Sequence, residues 1–122
     1  MAENLTLGDI SIDCKAPLTL RDFYAELTGW EKRAMYGWPA LISNCGLTIL
    51  FMQCDDYIPP VWPEEPGAQQ KQMHLNLQAE DLPLAVEKAI RLGAGKPAEQ
   101  YGGEHFVTLT DPAGHPFCIC RK

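Results

Sequence analysis

Displaced against itself by 65 positions, this sequence repeats a pattern rather than a string of residues. Asp9-Ile10-Ser11-Ile12-Asp13 falls over His74-Leu75-Asn76-Leu77-Gln78, polar on polar and apolar on apolar. Alternation of this kind has the period of a strand with one buried face. From Met73 to Leu77 the second copy sets Met73, Leu75 and Leu77 on one face, with His74, Asn76 and Gln78 on the other. Each stretch then changes to helical spacing. Leu20, Phe23, Tyr24 and Leu27 form one stripe over Pro17 to Leu27, and Leu82, Ala85, Val86, Ala89 and Ile90 form the other. Pro17 suits a first helical turn, Asp81 offers an N-cap, and Gly29 and Gly93 supply the stops. So long a period marks a duplicated module, not a solenoid.

The rest of the chain supplies the strands that complete each copy. Leu7 to Cys14 is the first strand, with Ile10, Ile12 and Cys14 toward a helix layer and Asp9, Ser11 and Asp13 on the other face. Two aspartates on one strand face require partners, water, a metal or a ligand. Trp30 to Tyr36 and Trp38 to Ser43 read as short strands, and Ser43-Asn44-Cys45-Gly46 has turn chemistry. Leu47 to Cys54 is the most hydrophobic strand, expected to be buried on both faces. Asp55 to Lys71 breaks the pattern: four prolines and Gly67 exclude a helix or central strand there. Tyr57 and Trp62 are large apolar groups, so this connection is expected to dock on the domain, either roofing a pocket or packing at a subunit contact. In the second copy Lys96 to Tyr101, Glu104 to Thr110 and His115 to Cys120 read as strands, with Asp111-Pro112-Ala113-Gly114 as a hairpin turn. The expected order is strand, helix, three strands, twice: module one at about 5–54, a connection at 55–71 and module two at about 72–122.

Composition narrows the function. The 122 residues make one domain with a real core. A formal charge of −6 and no basic cluster argue against nucleic acid. No apolar run has the length of a membrane span and the first residues lack a leader pattern, so a cytoplasmic address is expected. The five cysteines, 14, 45, 54, 118 and 120, are odd in number and read as thiols, chiefly small buried apolar groups. Cys118-x-Cys120 has no second ligand pair at zinc-site spacing.

Several residues carry a resemblance. They are Asp22-Phe23-Tyr24, His74 followed by Asp81-Leu82, Pro59-Pro60-Val61-Trp62-Pro63 leading to Met73-His74-Leu75, and Asp111-Pro112-Ala113-Gly114 running into His115-Pro116-Phe117-Cys118. With this element order, the chain resembles the vicinal oxygen chelate superfamily of glyoxalases, extradiol dioxygenases, fosfomycin-resistance enzymes and bleomycin-resistance proteins. More narrowly it looks like the bacterial glyoxalase-like branch. The resemblance implies an α+β fold of two βαβββ modules, whose curled mixed sheets form a cup with the helices outside. It also implies metal-ligand positions on the first and last strand of each module. By position these are Asp9, Leu50, His74 and Cys118, with Leu50 placed by matching Gly46 to Gly114.

The departures from that pattern decide the expectation. His74 matches and Asp9 is a possible substitute, but Leu50 has no donor atom and Cys118 is a soft thiol where a carboxylate is expected. No typical metal site is therefore expected; if one exists, Asp9, His74 and Cys118 would hold a single Zn, Ni, Mn or Fe ion, with Asp13 assisting. The leading expectation is a metal-independent small-molecule site in the cup. Its floor is Asp9, Ser11, Asp13, His74, Asn76 and Gln78, its wall Leu50, Met52, Cys118 and Cys120, and Trp62 is a further contact. In that setting His74 and Asp9 are the candidate catalytic pair, an oriented imidazole able to move a proton, against the alternative of a structural core hydrogen bond. Three other readings stand beside it: a metal-dependent lyase or dioxygenase with an atypical ligand set, a drug-sequestering protein without chemistry, and a nucleophilic Cys118 with His74 as base. His105 and His115 read as surface or turn residues. Trp30, Trp38, Trp62 and Tyr36 are more exposed aromatic surface than a small monomer carries, so a homodimer is expected.

Overall fold

A computed structural model describes residues 3–122. In chain order the elements are β1 (Asp9–Cys14), α1 (Pro17–Thr28), β2 (Glu31–Met35), β3 (Trp38–Ile42), β4 (Thr48–Gln53), β5 (Leu75–Ala79), α2 (Leu82–Arg91), β6 (Phe106–Thr110) and β7 (Pro116–Arg121). The class is α+β, as the resemblance implied. The chain divides into two compact units at Asp55/Asp56, and the proline-rich connection goes with the second.

Unit 1 holds a four-stranded mixed sheet in the order β1-β4-β3-β2, with β1 parallel to β4 and the other pairs antiparallel. Its register puts Ile10 beside Ile49, Ile12 beside Phe51, and Leu41 beside Ile49. This is the face that α1 covers, because Tyr24 stacks on Phe51 with centroids 6.2 Å apart and Phe23 meets Tyr24 edge-on at 5.0 Å. Leu41 and Phe51 are fully buried. Burying such a side chain contributes about 1.5–3 kcal/mol, and a well-placed aromatic pair about 0.5–1.5 kcal/mol more. α1 begins on Pro17 and ends on Gly29 at φ 76°, as its punctuation predicted. β4 is buried at four successive positions from Thr48 to Phe51, as its hydrophobicity implied.

Unit 2 repeats the plan with one strand fewer, in the order β5-β7-β6. The Asp81 side chain accepts from the Leu84 N–H at 3.1 Å, the predicted N-cap. α2 ends on Leu92 in right-handed geometry, not on Gly93, whose φ of 115° serves the turn that follows. Leu82, Val86 and Ala89 are buried, while Ile90, the last residue of the predicted stripe, is exposed.

Two sequence expectations need correction. No strand forms over Lys96–Tyr101. A single bridge joins Gly95 to Thr110, and beyond it the Gln100 side chain takes the strand's place. Its Nε2 donates to the carbonyls of Thr108 and Pro97, and its Oε1 accepts from the Thr108 N–H, all at 2.9 Å. One amide thus pairs with both backbone groups of Thr108, as a neighbouring strand would. The second correction concerns β5, which starts at Leu75, leaving Met73 77% exposed and His74 one residue before the ladder. Leu75 pairs with Phe117, so His74 would lie level with Pro116, which has no N–H to give.

The two hairpin loops are the closest match between the units. In each, the first residue's N–H donates to the carbonyl four residues on, Ser43 to Leu47 at 2.8 Å and Asp111 to His115 at 2.9 Å. In each, the first residue's side-chain oxygen accepts from that fifth residue's N–H, at 3.0 Å in both. Gly46 and Gly114, at φ 86° and 89°, take the left-handed position that closes the turn. The helices correspond at an offset of 65 and the hairpins at 68, so unit 2 carries three extra residues between α2 and β6. That excess falls where the second module lacks its edge strand.

Candidate functional site

Side chains on paired residues share a sheet face, so strand register sorts the candidate residues. In unit 1 Asp9 lies beside Thr48, Ser11 beside Leu50, and Asp13 beside Met52. Ala40 continues that row next to Leu50. All of these occupy the face turned away from α1. Asp9 is half-buried, Ser11 and Asp13 are exposed, and Leu50 is only 5% exposed. The result is an acidic and hydroxyl edge along β1, backed by an aliphatic and thioether wall on β4.

In unit 2 Asn76 lies beside Cys118 and Gln78 beside Cys120, with Thr108 and Phe106 as their neighbours on β6. This face is turned away from α2. Asn76 and Gln78 are exposed amides, and His74, just ahead of β5, is exposed as well. Cys118 is buried, with its sulfur 3.4 Å from the Thr108 hydroxyl. Burial, and then the neighbouring Cys118, push the Cys120 thiol above its usual range, which disfavours a nucleophilic thiolate at Cys120. Unit 1 therefore gathers Asp9, Ser11, Asp13, Leu50 and Met52 on one face, and unit 2 gathers Asn76, Gln78, Cys118 and Cys120 on another.

The connection docks on unit 2. The Tyr57 hydroxyl donates to the Ala113 carbonyl at 2.8 Å, its ring lies 5.1 Å from that of His115, and Pro59 closes over Gly114. Trp62 is held by Tyr101 edge-on at 6.2 Å and by the Lys71 ammonium 4.1 Å from its ring centroid. Lys71 also pairs with Glu64 at 2.9 Å. The Trp62 indole nitrogen is buried without a hydrogen-bond partner among the described residues. Lys71, Gln100, Tyr101 and Thr108 were not singled out from the sequence. Each acts through a non-periodic contact, which apolar patterning does not register.

The superfamily's divalent metal can be tested against these donors. A hard cation takes several oxygen or nitrogen donors in fixed geometry. Leu50 presents hydrocarbon beside Ser11, and the Cys118 sulfur is engaged with Thr108. Within neither unit do three His, Cys, Asp or Glu side chains among the described residues gather closely enough to hold an ion. Of the four positions that the resemblance implies, Leu50 thus offers no donor atom and Cys118 a soft one, which is not the set a hard cation takes.

The glyoxalase-like domain family model matches residues 9–120. This chain belongs to that family. The match places it in the vicinal oxygen chelate superfamily, in agreement with the resemblance read from its motifs. A glyoxalase/bleomycin resistance protein/dioxygenase family enzyme from Burkholderia phytofirmans shares the fold at TM-score 0.71 and 19% identity, over 96% of this chain and 98% of that one. A fosfomycin resistance protein from Listeria monocytogenes does so at TM-score 0.69 and 16% identity, over 100% and 95%. An antibiotic-binding protein from a Streptomyces species does so at TM-score 0.64 and 14% identity, over 99% and 98%. At these identities the likeness shows the fold alone. No curated protein is a sequence match to this glyoxalase-like chain. No helix among its described residues is long and apolar enough to cross a membrane.

Proposed function

We propose that this glyoxalase-like protein binds a small organic molecule through the sheet faces turned away from its helices, without a divalent metal of the superfamily's usual kind. The observation that carries the reading is Leu50. It stands where the resemblance implies a ligand on the last strand of module one, yet it is an aliphatic wall 5% exposed beside Ser11. Hydrocarbon at that position favours contact with an organic body over coordination. Asp9 and Asp13 border the same wall, and the chain carries a formal charge of −6, so the favoured ligand is cationic and partly aromatic.

Solved neighbours named for fosfomycin resistance and for antibiotic binding support a binding or resistance role. Capture without turnover satisfies every feature described. Should chemistry occur, His74 is the group to move a proton, with Asp9 as the second candidate.

The test begins with metal content. Protein incubated with Zn, Ni, Mn and Fe(II) and then dialysed is expected to retain no stoichiometric metal. It is also expected to bind cationic aromatic probes saturably, with Asp9→Asn and Asp13→Asn each weakening them several-fold. Retention of about one metal ion per chain, lost in His74→Ala, overturns the reading in favour of a lyase or dioxygenase that uses Asp9, His74 and Cys118.

A further inference from the structure

α1 and α2 occupy equivalent places in their modules and fill them differently. At the offset of 65, Phe23 and Tyr24 of α1 correspond to Lys88 and Ala89 of α2. The two rings that pack unit 1 therefore have no counterpart in unit 2. The flanking strand is missing as well: α1 packs on β2 in addition to β1, β3 and β4, whereas α2 packs chiefly on β7. Ile90 consequently stands 45% exposed where its counterpart Ala25 is 6% exposed. Between α2, β6 and the end of β7 these deficits leave a cavity of about 540 Å³. Leu82, Val86, Ile90 and Val107 give it an apolar floor. Its volume lies within the range of small-molecule sites, about 300–1,000 Å³.

The charge at its rim is opposite in sign to that of the whole chain. Arg91, Lys96 and Arg121 line the cavity against Glu87 and Glu104, a positive excess on a protein of formal charge −6. Glu87 is already met by Arg91 at 3.8 Å. Arg121 is fixed in place, its Nε donating to the Glu104 carbonyl at 3.0 Å. A peptide strand is a poor occupant, since the outer edge of β6 is closed by Gly95 and by the Gln100 amide. A compact hydrocarbon body with one negative group satisfies both the floor and the rim.

We propose that this cavity is a second ligand site, for an amphipathic organic anion such as an aromatic or branched carboxylate or sulfonate. The hydrocarbon rests on Leu82, Val86, Ile90 and Val107, and the anionic group meets Lys96 and Arg121. The site lies on the α2 side of unit 2's sheet, behind the face that bears Cys118, and prefers the opposite charge to the sheet-face ligand. It does not depend on that earlier reading.

The full chain titrated with 8-anilinonaphthalene-1-sulfonate tests it, with fluorescence for affinity and amide chemical shifts for location. Expected are saturation at one probe per chain and shifts centred on α2, β6 and Lys96. Lys96→Glu should weaken binding about fivefold at low salt, less at high salt, and Ile90→Glu, a carboxylate set into the exposed part of the floor, about tenfold. Asp13→Asn should leave probe affinity unchanged, and Lys96→Glu should leave cationic-probe binding unchanged, so each site can fail alone. Absence of saturable binding, unchanged parental affinity in both Lys96→Glu and Ile90→Glu, or shifts centred on Asn76 and Cys118 would overturn the proposal.

Discussion

Replacing Gln100 by Ala removes a single side chain and opens a sheet edge. The amide makes three hydrogen bonds of 2.9 Å, two of them to the backbone of Thr108, which is 4% exposed. A typical bond contributes about 0.5–1.5 kcal/mol net, and a buried polar group left without a partner costs about 1–3 kcal/mol. Water entering at the edge recovers part of that loss, so the expected destabilisation is about 2–3 kcal/mol. For a chain of this size that corresponds to a fall in midpoint temperature of very roughly 5–15 °C. Urea unfolding followed by tryptophan fluorescence gives the global figure, and amide exchange at Thr108 gives the local one. Gln78→Ala, on an exposed side chain, is the control and should change stability by less than about 0.5 kcal/mol. If Gln100→Ala matched that control and the Thr108 amide stayed protected, the view of this side chain as a substitute strand would be wrong.

Four further outcomes follow from named contacts. Asp111→Ala should cost about 2–3 kcal/mol, because a 5% exposed carboxylate accepts from the Ala113 and His115 N–H groups; Asp81→Ala, an exposed cap, should cost about 1 kcal/mol by the same denaturation assay. Burial raises the Asp22 carboxyl, but hydrogen bonds and charge from Lys32 and Arg21 outweigh it and hold the group below its usual range. Its contribution is therefore present above the ordinary aspartate pKa and lost as pH falls through the lowered one. Being half-exposed, it amounts to under about 1 kcal/mol, seen as the difference in acid unfolding between the parent and Asp22→Asn. Among the thiols, hydrogen bonds with Ser43 and then with the Leu47 N–H lower the pKa of exposed Cys45, whereas burial raises that of Cys120. At neutral pH iodoacetamide should label Cys45 well before Cys120, as peptide mass mapping would report.

How much of this was legible in the sequence depended on whether a feature leaves a periodic trace. The helices were legible because their stripes, Pro17 and Asp81 act within a few residues. β4 was legible because nearly every position in it is apolar. Matching Gly46 to Gly114 set Leu50 in correspondence with Cys118, but their partners across the parallel ladders, Ser11 and Asn76, come from the structure, because the hairpins do not include β1 or β5. The absent strand was not legible. Lys96 to Tyr101 falls where the repeat demands a strand, but Pro97 withholds a donor there, and the replacement is a side-chain amide that no hydrophobic period encodes. Nor did alternation through Met73 and His74 reveal that the ladder stops at Pro116. The α2 cavity was hidden for another reason: Ile90 sits on the correct helical stripe, and the loss of rings at Lys88 and Ala89 together with the missing edge strand leaves it uncovered.

The matched hairpins bear on how a duplicated chain diversifies. Ser43 and Asp111 share no functional group except an oxygen that can accept from the fifth residue's N–H, and that oxygen is enough to hold the same turn. A frame that asks so little of its residues leaves the rest of each copy free to drift. One copy has come to present Asp9, Ser11 and Asp13, the other Asn76 and Gln78 with His74 close by. A pair of identical modules would offer the same surface twice. By carrying both copies in one polypeptide, this protein escapes that symmetry and acquires two chemically different surfaces under a single gene's inheritance.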